Sequence, residues 1–148
     1  MNELAHVLIV EDNEDDYEAT RRSFLKNHFV NPLSWSRSAE EALQVLRSSA
    51  ADAGSRPEGR PDLILLDLNM PGMDGRRFLE IVKADDRLKS IPVVVLTTSS
   101  DTADIERCYQ LGASTYIQKP VSFDGLTRAV STMKDYWFGI ALLPSTAK

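Results

Sequence analysis

Short aliphatic runs alternate along the chain with stretches in which apolar residues recur at helical spacing. Val7–Val10 (VLIV) is an unbroken aliphatic run that ends at Glu11-Asp12. Runs of this kind mark strands buried on both faces. Residues 15–27 follow, with Tyr17, Thr20 and Phe24 spaced as on one helix face. Leu33–Ser36 is a weaker strand pattern after Asn31-Pro32, and Ser38 with Glu41 has the spacing of a capping box. The helix it opens presents Ala42, Leu43 and Leu46. Leu63–Leu66 (LILL) is the second strong aliphatic run; it stops at Asp67, ahead of the Pro/Gly-rich loop NMPGMDG. A helix over 76–84 turns Phe78, Leu79 and Val82 inward. A further buried strand over 92–96 leads into Thr97-Thr98-Ser99-Ser100-Asp101. A helix over about 102–111 closes at Gly112, a favoured residue for a helix end. Thr115–Gln118 is the last short strand, followed by Lys119-Pro120. A long helix from about Phe123 aligns Leu126, Val130, Met133 and Trp137.

Five strands thus alternate with five helices. Parallel strands need crossover connections, and helices of this length supply them. The pattern predicts an α/β fold, a five-stranded parallel sheet with helices on both faces. Residues 1–148 form one domain, with a core of about 5–137 and an apolar tail over 138–148. Residues 50–61 (AADAGSRPEGRP) read as a surface loop within that domain, because neither flank can fold alone.

Composition narrows the function classes. The formal net charge of -5 gives no reason to expect nucleic-acid binding. Cys108 is the one cysteine, which excludes an intrachain disulfide and fits a buried structural thiol in a reducing compartment. The N-terminus lacks the basic-then-apolar pattern of a signal peptide, and no apolar run is long enough to span a bilayer. These features imply a cytoplasmic protein with no membrane association. Acids are crowded at the start: Glu3, Glu11, Asp12, Glu14, Asp15, Asp16 and Glu18 precede the first Lys or Arg. Carboxylates crowded beside a buried strand suggest a cation between them.

Functional groups recur at the carboxyl ends of four strands: Glu11 and Asp12, Asp67, Thr97, and Lys119. In a parallel sheet those ends lie along one edge, where open α/β folds bind ligands. Carboxylates in one pocket suit a hard divalent cation with oxygen ligands. Lys119 adds a positive charge and Thr97 a hydroxyl donor, an electrostatic cradle for phosphoryl transfer. An aspartate at such a site can act as nucleophile and become an acyl phosphate. Taken singly, Asp12 would cap the first helix, Thr97 would end a strand and Lys119 would be solvated. Asp74 reads as a loop-shaping or helix-capping residue, and His6 and His28 match no motif.

The ordered set Glu11-Asp12, Asp67 with Asn69, Pro71 and Asp74-Gly75, Thr97, Gly112-Ala113, Tyr116 and Lys119-Pro120 resembles the receiver domain of two-component response regulators. The resemblance spans roughly residues 5–137 and implies the flavodoxin-like (βα)5 receiver fold. It implies that Asp67 is the phosphoacceptor, supplied by a sensor histidine kinase. It places Mg²⁺ or Mn²⁺ between Asp12, Asp67 and the backbone carbonyl of Asn69, with Glu11 acting through a water. Lys119 would pair with the phosphoryl oxygens, while Thr97 and Tyr116 would form the switch. Asn69 and Ser99 would tune dephosphorylation. The Lys119-Pro120 bond would be cis, and the protein would catalyse only its own phosphorylation and dephosphorylation.

Residues 138–148 are too short for an effector domain, so output is expected through a partner, a dimer or onward relay. The ending MKDYWFGIALLP is unusually apolar, and it points to homodimerisation through Trp137, Phe138 and Ile140, with Tyr109 contributing. The alternative is a tail folded back over the domain. The aromatic-rich tail and the long 50–61 loop look like stand-alone regulators paired with bacterial phytochromes. Alternative activities are a relay receiver that passes phosphate to a histidine phosphotransfer protein, or a haloacid-dehalogenase-type phosphatase. The last normally needs an acid two residues after the nucleophile, where Asn69 stands.

Overall fold

The computed structural model describes residues 5–49 and 60–144. Most of the 50–61 loop therefore lies outside the described residues. The strands are β1 (Val7–Val10), β2 (Leu33–Ser36), β3 (Leu63–Leu66), β4 (Val93–Thr97) and β5 (Thr115–Gln118). The helices are α1 (Glu14–Lys26), α2 (Ala39–Ser49), α3 (Gly75–Ala84), α4 (Thr102–Leu111) and α5 (Phe123–Asp135). All strand pairs are parallel, in the order β2-β1-β3-β4-β5.

Strand alternation sorts the aliphatic runs into two cores. Leu8, Val10, Ile64, Leu66, Val93 and Val95 pack with α2, α3 and α4. Val7, Ile9, Leu63, Leu65, Val94 and Leu96 pack with Phe24 of α1 and with Leu126, Val130 and Met133 of α5. Every residue of β1, β3 and β4 is buried, which is why those strands read as continuous apolar runs. The edge strands β2 and β5 are only half-buried, and their patterns are correspondingly weaker.

Element ends follow local chemistry. Asn13, rather than Asp12, caps α1, accepting from Asp16 N–H at 2.9 Å. Ser38 accepts from Glu41 N–H at 3.0 Å, and the Glu41 carboxylate accepts from Arg37 N–H, so the predicted box closes one residue early. Asp74 caps α3 through Arg76 and Arg77 N–H, as its position predicts. Gly112 ends α4 with φ of 110°, a left-handed conformation that glycine adopts without strain. Pro92 stays outside β4, although its carbonyl accepts from Ile64 N–H. One expectation is overturned: no cis peptide bond occurs among the described residues, so Lys119–Pro120 is trans, the isomer that X-Pro bonds favour.

The tail divides. After α5 the backbone widens into a π-helical turn over Tyr136–Ile140. That turn directs Trp137 and Phe138 onto the α1/α5 core, with the Phe138 ring 5.3 Å from Phe29. Leu143 is fully buried, whereas Ile140 and Leu142 are 74% and 79% exposed. Of the four predicted interface residues, Trp137 and Phe138 thus serve intrachain packing, and Tyr109 and Ile140 remain exposed.

Gly75 joins the core to the functional rim. A Cβ there would lie 2.6 Å from the Asp67 carbonyl and 2.7 Å from Leu68 Cα, both backbone atoms. Gly75→Ala should therefore cost about 1–3 kcal/mol, as overpacking does, and should be seen as a lowered midpoint in urea denaturation.

Candidate functional site

The carboxyl ends of β1, β3, β4 and the residue after β5 converge. Carboxylate oxygens of Glu11, Asp12 and Asp67 all lie within 4.8 Å of one another, with Glu11 and Asp67 buried and Asp12 exposed. Asp67 enters this cluster because β3 delivers it to the sheet rim, where its N–H donates to Val10 O at 3.1 Å. Thr97 is buried and its hydroxyl donates to Asp67 Oδ1 at 2.9 Å. Asn69 is exposed beside it, its N–H reaching Asp67 Oδ1 at 3.4 Å.

Lys119 is the cation of the site. Its Nζ stands 2.9 Å from Glu11 Oε1, 3.5 Å from Asp16 Oδ2 and 4.0 Å from Asp67 Oδ2. Burial opposes the Lys119 charge, but the Glu11 carboxylate, with Asp67 and Asp16, outweighs it and holds the ammonium above its ordinary range. Burial pushes the Glu11 carboxyl up to about 7, against the pull of Lys119. The donor set is three carboxylates with hard oxygen ligands, and it fits a divalent cation such as Mg²⁺ or Mn²⁺.

Two predicted residues are engaged differently. Ser99 donates its hydroxyl to Asp104 Oδ2 at 2.8 Å, not to the Asp67 carboxyl. Asp104 also takes both arms of the Arg76 guanidinium, at 2.8 Å each, and this pairing holds its carboxyl below the usual range. Tyr116 packs its ring on the α2/α3/α4 core and donates its hydroxyl to Ser99 O at 2.9 Å. The Tyr116 N–H in turn donates to the Tyr109 hydroxyl at 3.0 Å, so Tyr109 already has an intrachain partner. His28 is exposed with φ of 61°, and the His6 ring meets Ser34 Oγ at 2.6 Å before β1, at the opposite end of the sheet.

Several participants escape a reading of strand ends alone. Asp16 reaches Lys119 from the first turn of α1, and its place in the acidic run EDNEDD was the available signal. Trp35 donates its indole N–H to Glu11 O at 2.7 Å, a contact no local motif announces. Glu40 of α2 accepts from Met73 N–H at 3.2 Å and lies against Gly72, holding the loop that carries Asn69.

An open parallel sheet with an acidic, lysine-bridged rim at its carboxyl edge defines the class: a flavodoxin-like α/β domain whose candidate site lies at that rim. Comparison with known proteins makes the assignment specific. Residues 7–131 match the model of the response regulator receiver domain, and the chain belongs to that family. It is 38% identical over 141 residues to the probable methanogenesis regulatory protein FilR2 of Methanothrix harundinacea, covering 95% of this chain and 88% of the relative. It is 33% identical over 139 residues to response regulator Rcp1 of Synechocystis sp., covering 94% and 92%. A Mn²⁺-bound Rcp1 crystal structure superposes with a TM-score of 0.82 at 32% identity, covering 95% of this chain and 99% of that one. The phosphorylated cyanobacterial phytochrome response regulator RcpA superposes with a TM-score of 0.84 at 36% identity, covering 95% and 98%. No helix among the described residues is long and apolar enough to cross a membrane.

Folding raises the Glu11 pKa from 4.5 to about 7, so the native state holds that proton more tightly than the unfolded chain. The stability it contributes is full below pH 4.5 and is lost as pH rises through 7. In Glu11→Gln the decline of metal-free stability across that window should flatten by about 3 kcal/mol, measured by urea denaturation in chelator at each pH.

Proposed function

We propose that the chain is a phosphorylation switch in which Asp67 accepts a phosphoryl group from the phosphohistidine of a sensor histidine kinase. The observation that carries this reading is the placement of Asp67, hydrogen-bonded to Thr97 at 2.9 Å and 4.0 Å from Lys119 inside the acidic cluster. An Asp67 oxygen attacks phosphorus, the P–N bond breaks, and the imidazole nitrogen leaves with the electron pair. With the phosphohistidine ring protonated at its other nitrogen, the products are an aspartyl acyl phosphate and neutral histidine, and no further proton is needed. Asp12, Asp67, the Asn69 carbonyl and, through water, Glu11 would hold a divalent cation, which when bound would supply positive charge beside the transferring oxygens. Lys119 turns from Glu11 toward the phosphoryl group, and Thr97 donates to it in place of the Asp67 carboxyl. Release of Thr97 is passed to Tyr116, whose hydroxyl is bonded within the same β4–α4 segment.

On this reading the protein catalyses only its own phosphorylation and dephosphorylation. The exposed Asn69, beside Asp67, sets water access and the lifetime of the acyl phosphate, with Ser99 contributing if it leaves Asp104. The similarity to a phytochrome response regulator supports a phytochrome-type sensor as the kinase. A phosphatase reading is disfavoured because Asn69 cannot serve as the general acid. The exposed side chains Tyr136, Ile140 and Leu142 support homodimerisation as an output.

Incubation with acetyl phosphate and Mg²⁺ should add one phosphoryl mass to the intact protein, and none to Asp67→Asn. Labelling of Asp67→Asn at full stoichiometry would remove Asp67 from its role, and sustained turnover of the donor would restore the phosphatase reading.

For the dimer, Ile140→Glu should shift sedimentation toward the monomer with little change in melting temperature, because the residue is 74% exposed. An unchanged profile would count against the tail as the interface.

A further inference from the structure

The acidic cluster needs Glu11 and Asp12 to point the same way from adjacent residues, although side chains of an extended strand alternate between faces. The backbone must therefore leave the strand between them at a defined angle. The structure shows what holds that angle. Glu11 N–H donates to Ser36 O at 3.1 Å, and Glu11 O accepts the Trp35 indole N–H at 2.7 Å. Two residues on, Asn13 donates its N–H to Glu11 Oε2 at 3.2 Å and caps α1. Both polar groups of the Glu11 backbone are thus tied to β2, one by the ladder and one by a side chain.

Trp35 is itself fixed from both faces. Its ring stacks on Tyr17 of α1, with centroids 4.0 Å apart and planes within 3°. On the other face the Arg37 guanidinium carbon sits 4.3 Å from the ring centroid. A stack of this form immobilises an indole at the edge of the sheet, where β2 has no further strand to pack on. Tyr17 is also on the helix that carries Asp16, the second carboxylate facing Lys119.

We propose that Trp35 is a positioning residue for the cation site. Its indole N–H fixes the peptide between Glu11 and Asp12, and so determines where both carboxylates stand relative to Asp67. Trp35 touches none of the reacting groups and acts through the Glu11 carbonyl. The Tyr17 and Arg37 faces keep the donor aimed. The proposal rests on the receiver reading of the site.

The test is Mn²⁺ titration by calorimetry, with the melting temperature of the metal-free protein measured in parallel. Two variants separate the hydrogen bond from the stack: Trp35→Phe, and the full-length chain with 3-benzothienylalanine at position 35, which keeps the bicyclic ring and lacks the N–H. Outer partners of metal ligands typically govern affinity by tenfold or more, so Kd should rise about tenfold in both variants. If Trp35→Phe fails to fold, the isosteric analogue carries the test alone. A Kd equal to that of the unsubstituted protein, whatever the melting temperature, would show that the indole only packs and would overturn the proposal. Failure of the unsubstituted chain to bind Mn²⁺ would instead overturn the receiver reading, and the proposal with it.

Discussion

Carboxylates of Glu11, Asp12 and Asp67 gathered within 4.8 Å are the constraint around which the rest of the molecule is arranged. Two like charges at that spacing repel by about 3–4 kcal/mol at an effective dielectric constant of 20. The cluster persists because the fold meets that repulsion in two ways. Burial favours the protonated form of Glu11, and Lys119 lies 2.9 Å from the same carboxyl. Both are partial remedies, and a divalent cation is the complete one. The site is thus held by a well-packed frame in an arrangement that its own charges oppose.

That opposition defines what the site can do. Lys119 is closest to Glu11 and farthest from Asp67 among its three partners, so its present position answers the unphosphorylated charge distribution. A phosphoryl group on Asp67 would replace one negative charge by about two and move the centre of charge outward. Lys119 and Thr97 are side-chain donors within reach, and both are already committed to carboxylates. Redirecting a hydrogen bond to a charged group involves about 1.5–3 kcal/mol, the scale on which two conformations exchange populations.

The fold was legible in the sequence where burial was two-sided. β1, β3 and β4 announce themselves as aliphatic runs because both faces meet helices, and each ends at a polar residue because the rim lies there. Asp67, Thr97 and Lys119 were readable for the same reason: each stands at or beside a strand's carboxyl end, where topology alone brings groups together. The residues that were not readable reach the site sideways. Asp16 and Glu40 arrive from helices, and Trp35 from the middle of an edge strand. Their contacts depend on how helices sit on the sheet, which periodicity does not encode. Ser99 stands at the anticipated place in the chain, yet Asp104 claims its hydroxyl, because Arg76 brings that carboxylate to the start of α4. The tail was legible in part: helical spacing put Trp137 with Leu126, Val130 and Met133, where it packs, whereas the π-helical turn over Tyr136–Ile140, which periodicity does not encode, brings Phe138 onto the same core.

The two sides of Asp67 differ in kind. On the β1 side, Glu11 is secured through backbone groups to Ser36 and Trp35, and the indole is clamped between Tyr17 and Arg37. Those contacts are stacked and close-packed, which suits a surface that would have to stay put in the proposed phosphorylation cycle. On the β4 side, Thr97 is followed by a segment held largely through side chains: Ser99 to Asp104, Asp104 to Arg76, and Tyr116 to the Ser99 carbonyl. Bonds of that type exchange partners with little repacking, because hydroxyls and guanidinium groups can find water or another acceptor when displaced. A change at Thr97 therefore meets a rigid wall toward α1 and β2 and a rearrangeable one toward α4 and β5. In the proposed switch, motion would follow the second path, since the first would require unstacking an aromatic pair and the second only redirecting hydrogen bonds.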